Sequence, residues 1–372
     1  MDGVRIFHMA DAHLDAPFSK LPPRVADSAR LSLKSAFAGA VLAAKNRGAQ
    51  LFFIAGDLFD GDYLTPDTKE FVCEEIRSFP ECRFFIAPGN HDCLGENSHY
   101  RHMELPENVF VFGEKSRVSI DELGVDVYGM GFKSPSEREC PVLGYPPLNP
   151  DRINILVCHA DLGANVSDYG PVTKQQIGQS GFDYIALGHI HKCSGVLCEN
   201  GVFYAYPGCI EGRGFDETGE KGALFGTVAK GEAKLSFLPL ARRKYAEIEI
   251  DLTGISERTD AIAAIRSALR SCGAETRVRA VLTGSPEQAF VIKAEGLSDP
   301  GFQNRYIEIK DMTKPALKLT DIEKENTLRG VFCRRMQSKI AELPEDSREY
   351  DVCRKALRFG LAALDGRDIS GV

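Results

Sequence analysis

Five short apolar runs, each ending in a polar cluster, constrain this chain more than any other feature. They read VRIFHMAD, AQLFFIAGD, CRFFIAPGNHD, INILVCHAD and FDYIALGHIH. Each has the length and the β-branched and aromatic content of a buried strand, and each closes in Gly, Asp, Asn or His. Between the first two lies RVADSARLSLKSAFAGAVLAAKNRGA, where Leu33, Phe37, Val41 and Leu42 recur at helical spacing and Gly48 follows as a stop signal. Strands alternating with helices predict a layered α/β fold, in which chemistry gathers at the carboxyl ends of strands. All five polar clusters fall there.

The chain continues with SGVLCENGVFYAYPG, a hairpin turning at Asn200-Gly201. The Gly-rich loop GRGFDETGEKG and two antiparallel strands, GALFGTVAKGEAKLSFLPL, come next. A boundary near ARRKYAEIEI closes a first domain over 1–240. From Tyr245 a small α/β module begins, spanning 245–315: the strand YAEIEIDL, a helix over ERTDAIAAIRSALRSC capped by Ser256, and the strands TRVRAVLTG and RYIEIK. A charged helical segment, 316–372, ends the chain. In it LRGVFCRRMQSKIAEL sets Leu328, Val331, Phe332 and Ile340 on one stripe, and DVCRKALRFGLAAL supplies a second. Two readings stand side by side: helices packing on their own domain, or a docking segment for a partner.

Composition narrows the class. Hydrophobic residues at 43% and charged residues at 26% suit a globular protein. No run approaches the roughly 18 apolar residues of a membrane span, and the opening MDGVRIFHMADAHLD has no basic n-region. A cytoplasmic protein is the expectation. None of the 11 cysteines forms a CxxC pair, so neither a disulfide framework nor a zinc ribbon is expected. The net charge of −8 argues mildly against a basic coat for nucleic acid, without excluding a local groove or metal ions that meet phosphate directly.

The strand ends offer Asp11 and His13; Asp57 and Asp60; Asn90, His91 and Asp92; His159; and His189 with His191. Five of the 8 histidines sit in this set. Polar capping of strand ends is the bland account, but five such clusters of Asp, Asn and His point to a metal site with N and O donors, suited to Mn, Fe or Zn. Seven donors are too many for one ion with open positions. Two ions about 3.5–4 Å apart, sharing one carboxylate, would form a clamp for in-line displacement at phosphorus. Asp57, mid-list and on the sharp turn AGD, is the natural bridge. His91, beside Asn90, can donate a proton to a leaving alkoxide. Asp60 reads equally well as a turn or helix cap. Arg213, in the Gly-rich loop, could meet a phosphate or simply be solvated. His8 lies inside its strand run and reads as core. His99 and His102 read as loop or surface.

DAH, GDLFD, GNHD, CHA and GHIH, in that order, resemble the calcineurin-like metallophosphoesterases over about half the chain. The resemblance implies the metallophosphoesterase fold: a layered β-sandwich flanked by helices. It implies two divalent ions, manganese foremost. One is held by Asp11, His13, Asp57 and His191, the other by Asp57, Asn90, His159 and His189. His91 then acts on the leaving group with Asp92 as its partner.

GDLFD and PGNHD are most similar to the nuclease branch of SbcD-type DNA double-strand-break repair exonucleases, and ADAHLDAPF with YPGCIEGRGFDETGEKG to its YhaO-like members. That branch implies DNA as substrate, a coiled-coil SbcC-like ATPase as partner, a homodimer, and the 245–315 module as a small capping domain. Some relatives carry a histidine where this chain has Asp60. A small-substrate phosphatase and a non-catalytic scaffold on the same fold are the competing readings.

Overall fold

In the computed structural model, residues 3–61, 64–163, 165–287, 290–297, 305–314 and 319–364 are described. The order is β1 (Val4–Met9), α1 (Pro23–Asn46), β2 (Leu51–Ile54), α2 (Pro66–Arg77), β3 (Arg83–Ile86), β4 (Val109–Val111), β5 (Ser116–Ile120), β6 (Val125–Met130) and β7 (Ile153–His159). Then come β8 (Asp161–Leu162), β9 (Pro171–Val172), α3 (Lys174–Ser180), β10 (Tyr184–Gly188), β11 (Leu197–Glu199), β12 (Val202–Ala205), β13 (Gly222–Ala229) and β14 (Glu232–Pro239). The remainder is β15 (Tyr245–Asp251), α4 (Arg258–Ser271), β16 (Arg277–Thr283), β17 (Ile307–Asp311), α5 (Leu319–Ile322), α6 (Leu328–Ala341) and α7 (Arg348–Leu364).

Two six-stranded sheets carry the first part of the chain. One has the order β14-β13-β1-β2-β3-β4, the other β11-β12-β10-β7-β6-β5. In each, four parallel strands form one block and antiparallel strands complete the sheet. Strand alternation builds the layers. Val4 and Ile6 of β1, Leu51 and Phe53 of β2, and Tyr184 and Ala186 of β10 enter one core shared by both sheets. Phe7, Met9, Phe52 and Ile54 face the other way, against Leu33, Phe37 and Val41 of α1 and Val72 and Ile76 of α2. On the second sheet Leu156, Ile185 and Leu187 pack with Ile177 of α3. Both faces of each central strand are therefore buried, which is why the runs are apolar throughout rather than alternating. The result is a mixed α/β sandwich flanked by helices.

Asn200 and Gly201 turn the β11–β12 hairpin with φ of 48° and 82°, the pairing that a type I′ turn needs. Leu42 does not join the buried stripe of α1: it is 58% exposed, and Ala36, Ala40 and Ala44 fill that face instead. Glu257, not Ser256, precedes α4, so Ser256 stands one position too early to cap it.

The chain divides into two compact units, Met1–Glu247 with Gly273–Arg279 and Asn304–Ile307, and Ile248–Cys272 with Ala280–Gln303 and Glu308–Val372. In the second unit, Cys333, Phe332, Met336 and Ile340 of α6 pack with Ile322, Leu357 and Leu361. Leu328 and Val331 lie off that stripe and are exposed. The sequence boundary at 315/316 falls outside the described residues. No described helix is long and apolar enough to cross a membrane.

His8 links the two sheets and is fully buried, as its place within the strand run implies. Its Nε2 donates to Leu187 O (3.2 Å), so its Nδ1 must accept from the Tyr184 hydroxyl (2.9 Å). One neutral tautomer satisfies both bonds, and burial pushes the ring pKa down to about 3. Below pH 6.5 the unfolded chain protonates this histidine while the folded one does not, so stability falls as pH falls. We expect wild type to lose about 2 kcal/mol relative to His8→Gln between about pH 7.5 and 5 in urea unfolding. Parallel pH profiles for the two proteins would contradict this.

Candidate metal centre

The polar clusters converge because the chain overshoots its strands in register. Beyond β1 and β2 the backbones keep pairing: Asp11 N donates to Gly56 O (3.0 Å), His13 N to Asp57 O (2.9 Å) and Leu14 N to Leu58 O (2.9 Å). Asp11, His13, Asp57 and His189 all have positive φ, at 51°, 46°, 52° and 109°. That backbone is costly for side-chain-bearing residues, and it concentrates at functional sites. Three motif glycines make room. A Cβ on Gly56 would press on the His159 ring, one on Gly89 on Asp57 and His159, and one on Gly188 on Ala55 O.

The structure brings together all seven donors expected from the sequence. His13 Nε2 lies 3.4 Å from His191 Nε2, and His159 Nε2 lies 3.3 Å from His189 Nδ1. Asp57 Oδ2 stands between the two pairs, 3.7 Å from His13 Nε2 and 3.6 Å from His159 Nε2. Asp11 Oδ1 is 3.7 Å from His191 Nε2, and Asn90 Oδ1 is 3.1 Å from His159 Nε2. The opposite ring nitrogens decide the tautomers. His13 Nδ1 donates to Asp60 (2.8 Å), His191 Nδ1 to Glu217 (2.6 Å) and His159 Nδ1 to Ala55 O (3.0 Å). Each of these rings therefore turns a lone pair on Nε2 toward the cluster. Lone pairs facing one another beside carboxylates need a cation between them.

Electrostatics agree with that fit. Burial, and to a lesser degree the charge on Asp57, pushes Asp11 up to about 6. Burial also works against Asp57, but His159, His13 and His91 outweigh it and hold the carboxyl below its usual range. Burial pulls His13 and His189 down to about 4, keeping both neutral and able to coordinate. Clusters Asp11–His13–His191 and Asp11–Asp57–His159 have the donor spacing to hold a metal ion. The O and N donors suit divalent ions of the Mn, Fe or Zn kind.

His91 sits at the mouth, its side chain 41% exposed. The expectation that Asp92 partners it is corrected. His91 Nδ1 meets Asp60 Oδ1 at 2.9 Å, and the hydrogen bond to Asp60 raises its pKa. Asp92 points into the protein. It accepts from the amides of Asp57 (3.2 Å), Leu58 (2.8 Å), Phe59 (3.3 Å) and Gly89 (2.8 Å), and from the Tyr100 hydroxyl (2.6 Å). Adjacent residues on a turn point in opposite directions, so sequence proximity misleads here. Asp60 is the hub instead, also accepting from Arg213 (3.3 Å). Against burial, His13 and His91 hold its carboxyl well below the usual range.

Arg213 stands half-buried between Asp60 and Glu217. Sequence reading does not single out Glu217, whose only signal is its place in the Gly-rich loop. Against burial, the His191 hydrogen bond lowers its pKa to about 2. His99 Nε2 meets Gly61 O (3.2 Å), and His102 is exposed.

Asp92→Ala would leave several buried amides without an acceptor, each costing about 1–3 kcal/mol. We expect urea unfolding to register a loss of at least about 3 kcal/mol. Unchanged stability with lost turnover would return Asp92 to a direct chemical role.

Comparison with known proteins places this geometry. Residues 4–193, just over half of the chain, match the calcineurin-like phosphoesterase family. A curated protein of Bacillus subtilis (strain 168), "Uncharacterized metallophosphoesterase YhaO", is 29% identical over 311 residues, 80% of this chain and 76% of that protein. Among solved structures, the crystal structure of TT1561 of Thermus thermophilus aligns with 60% of this chain and 98% of that chain at 13% identity and a TM-score of 0.37, a likeness too low to carry weight. The family match, over a chain whose Asp, Asn and His donors are already gathered at the strand ends, shows that this protein belongs to the calcineurin-like phosphoesterases and is a metal-dependent phosphoesterase.

Proposed function

We propose that the protein is a two-metal DNA phosphodiesterase of the SbcD and YhaO kind, acting in double-strand-break processing. One observation supports the two-metal part: Asp57 Oδ2 lies 3.7 Å from His13 Nε2, of one facing histidine pair, and 3.6 Å from His159 Nε2, of the other. Asp11, His13, Asp57 and His191 would hold one ion, and Asp57, Asn90, His159 and His189 the other. Manganese is the ion we assign, on the resemblance to the nuclease branch. Bound there, the ions supply a nucleophile from water at neutral pH and offset charge developing at phosphorus.

The chain's own groups do the rest. Asp57 Oδ1 accepts from the His91 backbone amide (2.9 Å), fixing that residue against the centre. Asp60 holds His91 Nδ1, which leaves Nε2, with no hydrogen bond to a described residue, to face the leaving 3′ oxygen and deliver a proton. Arg213, held by Asp60 and Glu217, would meet a phosphate oxygen. DNA as substrate is supported by the GDLFD and PGNHD motifs and by a second unit that a small substrate would not require. For the coiled-coil ATPase, exposed Leu328, Val331, Val352 and Phe359 on α6 and α7 are the proposed dock.

The test is cleavage of linear DNA, hairpin DNA and small phosphate esters by the Mn-loaded protein and its His91→Ala variant. We expect DNA cleavage that falls about 10²–10⁴-fold in the variant at unchanged metal content. Brisk ester hydrolysis with no DNA cleavage would replace the nuclease with a small-substrate phosphoesterase. Fewer than one ion per chain after reconstitution would leave a scaffold.

A further inference from the structure

The two proposed ion positions differ in what stands behind their histidines. His13 and His191 each donate Nδ1–H to a carboxylate, Asp60 (2.8 Å) and Glu217 (2.6 Å). His159 donates to the neutral carbonyl of Ala55 (3.0 Å). His189 turns Nδ1 toward His159, and its Nε2 makes no hydrogen bond to a described residue. Asp161 acts on His189 only through space. A carboxylate behind a ligating imidazole fixes the tautomer and makes the ring more basic, whereas a carbonyl fixes the tautomer with less charge.

Arg213 joins the two carboxylates. Its guanidinium reaches Asp60 Oδ1 (3.3 Å) and Glu217 Oε1 (3.4 Å). The circuit His13–Asp60–Arg213–Glu217–His191 closes through the facing Nε2 atoms, 3.4 Å apart. Arg213 bridges the two carboxylates and holds each against its histidine. Among the described residues, no carboxylate hydrogen-bonds the histidines of the other.

Glu217 is set in place by its own loop. Its Oε2 accepts from Arg213 N (2.7 Å), and its N donates to Gly214 O (3.1 Å). A Cβ on Gly212 would press on Glu217 O at 2.7 Å. Phe215 anchors the loop elsewhere, its ring centroid 5.1 Å from that of Tyr245 and 4.2 Å beneath the Arg279 guanidinium. A carboxylate held this way need not be ordered when the ion binds.

We propose that Glu217 is the positioning residue of His191, and that with Asp60 and Arg213 it makes the Asp11–His13–His191 position take its divalent ion first and more tightly than the Asn90–His159–His189 position. The inference rests on the two-metal reading above and goes beyond it, because that reading treats the two positions alike.

The experiment titrates the metal-free full-length chain with Mn²⁺, following free ion by electron paramagnetic resonance. Wild type should show two binding steps. Glu217→Ala should weaken the tighter step by about 10–100-fold and leave the weaker one in place. Glu217→Gln, which keeps an acceptor but loses the charge, should weaken the same step less. It also carries the test if thermal unfolding finds the alanine variant misfolded. Asn90→Ala should abolish the weaker step. Loss of the tighter step in Asn90→Ala, equal weakening of both steps in the Glu217 variants, or no change in them would overturn the inference. Two wild-type steps of equal affinity would do the same. Fewer than two ions bound by wild type would instead overturn the two-metal reading.

Discussion

The placement of one carboxylate, Asp57, governs the site. It follows β2 at a φ of 52°, a backbone state held by an amide bond to Asp92 (3.2 Å) and by the carbonyl bond to His13 N (2.9 Å). Oδ1 accepts from the His91 amide, and Oδ2 approaches His13 Nε2 and His159 Nε2. Its environment is divided, with burial opposing the charge and three histidines favouring it. Remove that carboxylate and the His13–His191 and His159–His189 pairs lose the one negative oxygen that reaches a histidine of each.

The sandwich exists in a form that can supply this arrangement. Parallel strands from both sheets bring their carboxyl ends to one edge, above an apolar core that the two sheets share. Gly56, Gly89 and Gly188 let the two edges approach closely enough for side chains of one sheet to reach those of the other. His159, from the second sheet, bonds to Ala55 of the first. His8 does a comparable job deeper in, bonding from β1 to β10 without a charge.

Much of this was legible in the sequence, for a physical reason. A strand buried on both faces must be apolar for its whole length, so its polar end stands out, and side chains at the ends of adjacent parallel strands must converge. Thus the strands, the hairpin at Asn200-Gly201 and the convergence of the seven expected donor residues could be read from residue order. The network behind the donors could not. Asp60 and Glu217 meet their histidines across 47 and 26 residues, whereas Asp92, although it adjoins His91 in the chain, turns away from it. Helix faces failed where alanines, not large residues, define the buried stripe, as at Leu42, or where the periodic residues sit at a helix start, as at Leu328.

The most direct measurement is anomalous X-ray scattering from crystals loaded with Mn²⁺. The account predicts two peaks about 3.5–4 Å apart, one beside His13 and His191, the other beside His159 and His189, with Asp57 Oδ2 reaching both. A single peak, or two peaks of which Asp57 touches only one, would contradict it.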